Sequence, residues 1–391
     1  MLNKKILYVS NSCFPNSASG IRVTNLSKLL KNIGYDVELL SNNLISFIPD
    51  DYLKQIEIKE VDGFLTFNYN GLVYYYKNNK LLNNKVFNFI ELLLNNFQIN
   101  NIRTICKVKK IDILILYNPL YRVAKILLKF CKKYDIKLII DNTEWYEGKK
   151  DFFGNHIAKS VNRRITKLDK KINNIISISP WMNRWYIERN INSICVLPLM
   201  EKFHKPIVFN KSKIINLIYC GVPGKKDLIE PLVDCIKKLN ENENRFKLTI
   251  IGVDYEYFND EKLSDYNIFC LGKVRNDKVY QYYQESDFSC LFRYDKRYAR
   301  AGFSTKVAES LSNGVPVLCN VVGGTDDIIV NSENGFKISS FNEKELNQML
   351  LMLLTLSDVQ IYNLKMKAYE CSQKYFNSDN YASVMKKFIE E

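Results

Sequence analysis

The chain has 391 residues, 47% hydrophobic and 25% charged, a balance that excludes disordered and fibrous classes and suits two domains of roughly 200 residues each. Its 56 basic and 42 acidic residues leave a net charge of +14, so the expected partners are anionic. No RNP, KH, helix-turn-helix or zinc-finger pattern occurs and the basic residues are spread along the chain, so no nucleic-acid partner is expected.

In chain order, "KILYVSNS" is a short apolar strand followed by the small-residue loop "CFPNSASGIR". "VTNLSKLLKNIG" then shows helical periodicity closing at Gly34, and "YDVELLS" is the next strand. This is the opening βαβ unit of a doubly wound fold. "FLTFNYNGLVYYY" follows, with a hairpin turn expected at Asn70-Gly71. Residues 80–110 form a basic, apolar helical region, with Phe87, Phe89, Leu93 and Phe97 beside Lys80, Lys85, Arg103, Lys107, Lys109 and Lys110. "IDILILYN", "IKLIIDN" and "INNIISIS" read as three buried parallel strands, and "INSICVLPLME" closes the first half.

A second start follows at "IINLIYCGVPGKKDLIEPLVDCIKKLN", again strand, glycine turn and helix. The strands "FKLTIIGV", "NIFCLGKV", "FSCLFR" and "VPVLCN" then alternate with helical stretches. The boundaries expected are an N-terminal Rossmann-like domain at 1–203, completed by a C-terminal helix at 372–391, and a C-terminal Rossmann-like domain at 204–371.

No apolar run approaches the roughly 18 residues of a spanning helix, and "MLNKKILYVS" enters a strand without a signal-peptide core. A cytoplasmic protein is expected. The ten cysteines are scattered without a C-x-x-C, which fits buried thiols in a reducing compartment. With only His156 and His204 present, no histidine-based metal site is expected.

Two stretches carry the chemistry. In "AGFSTKVAESLSNG" the predicted helix opens at Ser304, Thr305 and Lys306, with Glu309 one turn on. Free N–H groups and the helix dipole at that end attract phosphate, and Thr305 and Lys306 would add to the grip. Glu309 is placed to accept hydrogen bonds from two adjacent hydroxyls, such as those of a ribose. A nucleotide diphosphate satisfies both ends; an exposed Lys306–Glu309 pair is the alternative. "YCGVPGKKD" repeats the pattern, with Gly221 and Gly224 followed by Lys225 and Lys226 as a helix begins. Switch-point geometry would bring the two turns together.

Together, "LIYCGVPGKKDLIEPL", "CLGKVRNDKVYQYYQESDFSCLFR" and "AGFSTKVAESLSNGVPVLCN" resemble the retaining GT-B glycosyltransferases of the family-4 type, in the capsule and cell-surface polysaccharide branch. "PNSASGIRVTNLSKLLKNIGYDVELLS", "LIIDNTEWY", "IISISPWM" and "ICVLPLME" match the N-terminal half more loosely. The resemblance implies an α/β GT-B fold, two Rossmann-like domains facing across a cleft. It also implies a hexosyltransferase that moves a sugar, with retention, from a nucleotide-diphosphate-sugar donor to a glycan or lipid-linked glycan acceptor. Neither a cofactor nor a metal is implied; an anionic membrane surface is an additional partner, with peripheral attachment at the inner face of the cell membrane.

By position, Lys226 corresponds to the lysine that neutralises the leaving diphosphate and Glu309 to the ribose-binding glutamate; these are the catalytic candidates. Gly20, Gly221, Lys225, Val274, Arg293, Ser304, Thr305 and Lys306 are the donor-binding candidates, and Asp141, Asn142 and Glu144 the acceptor-side ones. The chain departs from the family at Ala301, where a glutamate usually touches the donor sugar, and Arg293 or Arg300 would have to contribute there. It departs again at Val222, usually arginine, which puts the phosphate charge on Lys225, Lys226 and Lys306. Asn142 stands nearest to the usual acceptor-side histidine. A nucleotide-sugar epimerase on the same fold and a non-catalytic nucleotide- or glycan-binding relative remain alternatives. Asp227 is expected to cap or pair locally, and Trp145 and Trp181 to be core or cleft-wall residues.

Overall fold

The computed structural model describes residues 4–41, 48–77, 96–148, 152–207, 214–224 and 226–391. The chain forms two compact units, one of Met1–Leu199 with Ser378–Glu391 and one of Met200–Asn377.

The first unit is built on strands β1 (Lys5–Ser10), β2 (Asp36–Ser41), β3 (Lys59–Val61), β4 (Phe64–Tyr69), β5 (Leu72–Tyr76), β6 (Ile113–Tyr117), β7 (Lys137–Asn142), β8 (Ile175–Ser177) and β9 (Ser193–Cys195). They form one sheet in the order β3-β4-β5-β2-β1-β6-β7-β8-β9. Strands such as "ILILY" are apolar on both faces because helices cover both sides of a parallel sheet. The β4–β5 hairpin turns at Asn70 and Gly71, both with positive φ (50° and 76°), as a two-residue primed turn requires.

The expected loop through Gly20 is instead helix. Ser17 accepts a hydrogen bond from the Gly20 amide and starts a helix at Ala18–Asn32. In the 80–110 region, Asn96–Lys109 is helical. Lys80, Lys85, Phe87, Phe89 and Leu93 lie outside the described residues.

The second unit contains β10 (Ile215–Cys220), β11 (Phe246–Ile251), β12 (Ile268–Cys270), β13 (Phe288–Leu291), β14 (Val317–Asn320) and β15 (Gly335–Ile338). All neighbours pair in parallel, in the order β12-β11-β10-β13-β14-β15. Counted from its own first strand, that order is 3-2-1-4-5-6, the Rossmann arrangement. Strand order reverses between β10 and β13, so ligand-binding loops belong at the carboxyl ends of those two strands.

The long helix Asp358–Phe376 starts in a capping box at Ser357 and Gln360 and packs against the helix Thr305–Ser312. Its buried Lys365 donates to the Ser286 carbonyl at 2.7 Å. This helix stays in the second unit, so the return to the first falls at residue 378 rather than 372, and the earlier break at 199/200 rather than 203/204. The closing helix Ala382–Glu390 buries Met385, Phe388 and Ile389 in the first unit's core. Lys137 Nζ donates to the carbonyls of Phe388 and Ile389, each at 2.9 Å.

None of the ten cysteines forms a disulfide. Among the described residues, no helix is long and apolar enough to cross a membrane, and no group of three or more His, Cys, Asp or Glu is placed to hold a metal ion.

Candidate functional site

At the switch point of the second unit, β10 runs into a turn that opens at Gly221. Gly221 has φ +131°, and a Cβ there would lie 2.3 Å from Lys306 Cε; glycine lets the turn close over that lysine. The chain then bridges to β13's end. Asp227 pairs antiparallel with Arg293, and the Leu228 amide donates to the Phe292 carbonyl at 2.8 Å.

The Asp227 carboxylate, 2% exposed, is the hub. Its Oδ1 accepts from Arg293 Nε at 2.7 Å. Its Oδ2 accepts from the Tyr219 hydroxyl at 2.8 Å and from Lys306 Nζ, which also donates to the Tyr219 oxygen at 3.0 Å. Burial alone would raise the Asp227 pKa, but Arg293 and then Lys306 more than offset it and hold the carboxyl below its usual range, so it is ionised. Burial lowers the Lys306 pKa, with Asp227 compensating only in part. The Tyr219 hydroxyl is pushed up by burial and by the adjacent Asp227 charge, so it stays a proton donor.

Lys306 pairs with Asp227, not with Glu309, so the alternative of an exposed Lys306–Glu309 pair is not what forms. Glu309, one turn further along the helix, is half-buried, and its carboxylate takes no hydrogen bond among the described residues. Burial pushes it up to about 7, with Lys306 pulling weakly the other way. Sequence reasoning missed Tyr219, and Asp227, expected to cap or pair locally, joins Arg293 and Lys306 from distant parts of the chain. An aspartate after two lysines and a tyrosine in an apolar strand carry no pattern that predicts their meeting.

The remaining candidates of this unit are placed as follows. Lys226 is exposed, with Nζ 5.8 Å from the Tyr298 ring centre. Lys225 lies outside the described residues. Ser304 is the buried N-cap of the helix Thr305–Ser312, yet its hydroxyl makes no cap bond to that helix, while Thr305 is half-buried in the first turn. Ser304, Thr325, Asn320 and Arg293 line a cavity of about 10 Å³, room for about one water. Val274 packs its side chain against the cluster of Ile218, Ile251, Tyr283 and Val315. Ala301 is fully buried and offers no polar group. Arg300 is engaged at the surface with Asp295, Nε to Oδ1 at 2.6 Å.

In the first unit, the acceptor-side expectation fails for two residues. Asp141 is fully buried in a bidentate pair with Arg22, at 2.7 Å to Nη2 and 2.9 Å to Nε, and accepts from the Tyr8 hydroxyl at 2.5 Å. Asn142, equally buried, accepts from Arg164 at 2.6 Å and donates to the Tyr186 hydroxyl at 2.8 Å. Both side chains are consumed inside the fold, because a buried charge or amide must be paired. Glu144 is half-buried and accepts from the Tyr146 hydroxyl. Gly20 is required by packing: a Cβ would lie 1.7 Å from the Phe14 carbonyl oxygen. Trp145 packs edge-on against Trp185 at 4.7 Å and lies 6.0 Å from Trp181.

Two doubly wound units on largely parallel sheets place the chain in the GT-B class of folds, and solved structures bear this out. Sucrose-phosphate synthase from Thermosynechococcus elongatus superposes with a TM-score of 0.71 at 14% identity, over 99% of this chain and 98% of that one. A glycosyltransferase from Rickettsia africae gives 0.68 at 14% identity, over 100% and 99%. The pneumococcal O-GlcNAc transferase GtfA, solved with UDP and GlcNAc, gives 0.65 at 11% identity, over 100% and 99%. Residues 200–370, most of the second unit, match the family model "Glycosyl transferases group 1". No curated protein matches the chain significantly.

Proposed function

We propose that the protein is a glycosyltransferase that takes a sugar from a nucleoside-diphosphate sugar held by the second unit. The observation that carries this reading is the convergence at one switch point of exposed Lys226, Arg293 held on Asp227, and the unpaired Glu309. Fixed cations suit a departing diphosphate, and a carboxylate with no partner of its own suits two vicinal hydroxyls. The match of residues 200–370 and the UDP and GlcNAc held by the pneumococcal neighbour support the same reading.

In the reaction, the bond from the anomeric carbon to the diphosphate oxygen breaks and the diphosphate leaves with the electron pair. An acceptor hydroxyl forms the new bond and gives up its proton. Lys226 would offset the charge that develops on the leaving oxygens. Retention, independence of metal, a glycan or lipid-linked acceptor and a role in cell-surface polysaccharide synthesis are carried over from the family resemblance as parts of the proposal.

Attachment to an anionic membrane surface is likewise proposed. The helix Asn96–Lys109 carries Arg103, Lys107 and Lys109, and the helix Tyr121–Tyr134 carries Arg122, Lys125, Lys129, Lys132 and Lys133; neither contains a carboxylate. Helices of such charge are attracted to anionic headgroups.

The test is a panel of nucleotide sugars offered to the purified protein, with binding and slow donor hydrolysis as readouts. One donor that is bound and hydrolysed supports a transferase. Binding of none refutes the reading, and inversion at a sugar carbon with no hydrolysis points to the epimerase.

A further inference from the structure

We infer that Asp227 is a positioning residue that decides which cation of this site meets the diphosphate: it draws Lys306 into the wall and presents Arg293. The inference rests on the reading that the second unit binds a nucleoside diphosphate.

Lys306 is engaged within the protein. Its ammonium donates to Asp227 and to the Tyr219 hydroxyl, and its side chain runs directly beneath Gly221. With its charge balanced by a carboxylate and two of its three donors used, it has little left for an incoming anion. It acts as a strut between the glycine turn and the helix Thr305–Ser312.

Arg293 is engaged differently. Only Nε is used on Asp227. Neither terminal amino group hydrogen-bonds another described residue, and the side chain lines the cavity shared with Ser304, Asn320 and Thr325. A guanidinium held at Nε keeps its plane fixed while its outer edge still offers a fork of N–H donors, the geometry that phosphate oxygens take up in pairs. The cavity has room for about one oxygen-sized group, so a phosphate would seat one oxygen there and lie at its mouth. Asp227 itself is buried behind the two cations and shielded from the ligand. The turn's own side chain at 222 is an exposed valine, so the arginine comes from the neighbouring strand end, across the switch point.

The experiment compares a diphosphate with the nucleoside that lacks it. Titration calorimetry or ligand-observed NMR would measure UDP, GDP and ADP and their free nucleosides on wild type, Arg293→Ala, Asp227→Asn and Lys306→Met. Arg293→Ala should weaken the diphosphate by at least about tenfold and leave the nucleoside unchanged. Asp227→Asn should move the same ratio in the same direction, and Lys306→Met should keep it within about threefold. An unchanged ratio in Arg293→Ala overturns the proposal, as does equal loss of both ligands, because that is what a purely structural role predicts. A selective loss of diphosphate in Lys306→Met overturns it too. Wild type that binds no diphosphate at all refutes the donor reading itself, a result distinct from the others.

Discussion

Replacing Glu309 with glutamine removes a half-buried carboxyl that burial pushes up to about 7 from the usual 4.5. Because the folded value is the higher one, the folded protein favours the protonated form. The stability that goes with it is complete below about pH 4.5 and is lost as pH rises through 7. Each pH unit across that window costs about 1.4 kcal/mol, so between pH 5 and pH 8 the wild type should lose roughly 2 to 3 kcal/mol on this account. Glutamine does not titrate, so the variant should escape that loss. Urea denaturation followed by far-UV circular dichroism at pH 5 and pH 8 gives the difference between the two proteins. We expect it to shift by roughly 2 to 3 kcal/mol in favour of Glu309→Gln on going to pH 8. The same difference at both pH values would refute the burial argument. The variant should also bind donor more weakly at pH 8, where only the wild type has an ionised acceptor for two hydroxyls.

Lys226→Ala should cut kcat for sugar transfer at least about a hundredfold with the fold intact by circular dichroism; wild-type turnover would remove Lys226 from the chemistry. Gly20→Ala forces a methyl group against the Phe14 carbonyl, and should lower the stability of the first unit by about 2 kcal/mol or more in chemical denaturation. Transfer should proceed with retention in the presence of EDTA, and product NMR showing inversion, or loss of activity that added metal restores, counts against the resemblance. Sedimentation with anionic vesicles should exceed that with neutral ones and fall at high salt, where charge is screened within a few ångströms; equal binding to both removes the membrane proposal.

Much of the fold was legible because it follows from local chemistry. Apolar runs such as "ILILY" and "LIYC" announced buried parallel strands, and Asn70-Gly71 announced its turn. The start of the helix at Ala18 was misjudged because the serine-rich stretch before it reads as loop until Ser17 is recognised as a cap. The two site turns were found in sequence by their glycines and lysines, and they do lie in one unit with strands β10 and β13 adjacent.

The sequence by itself determined that this chain makes two α/β halves, and it singled out Gly221, Lys226, Lys306 and Glu309 as the residues worth watching. Charge type, glycine placement and periodicity are properties of short segments, and short segments are what a sequence displays. Only the tertiary structure decided which charges are spent. Asp227 meets Arg293 across 66 positions of chain and Lys306 across 79, while Asp141 meets Arg22 across 119. Those pairings arise because β10 lies beside β13 and β1 beside β6, an order fixed by how the crossover helices pack on the sheet. Whether a charged side chain faces a ligand or a partner is therefore settled by burial, and burial depends on which strands become neighbours.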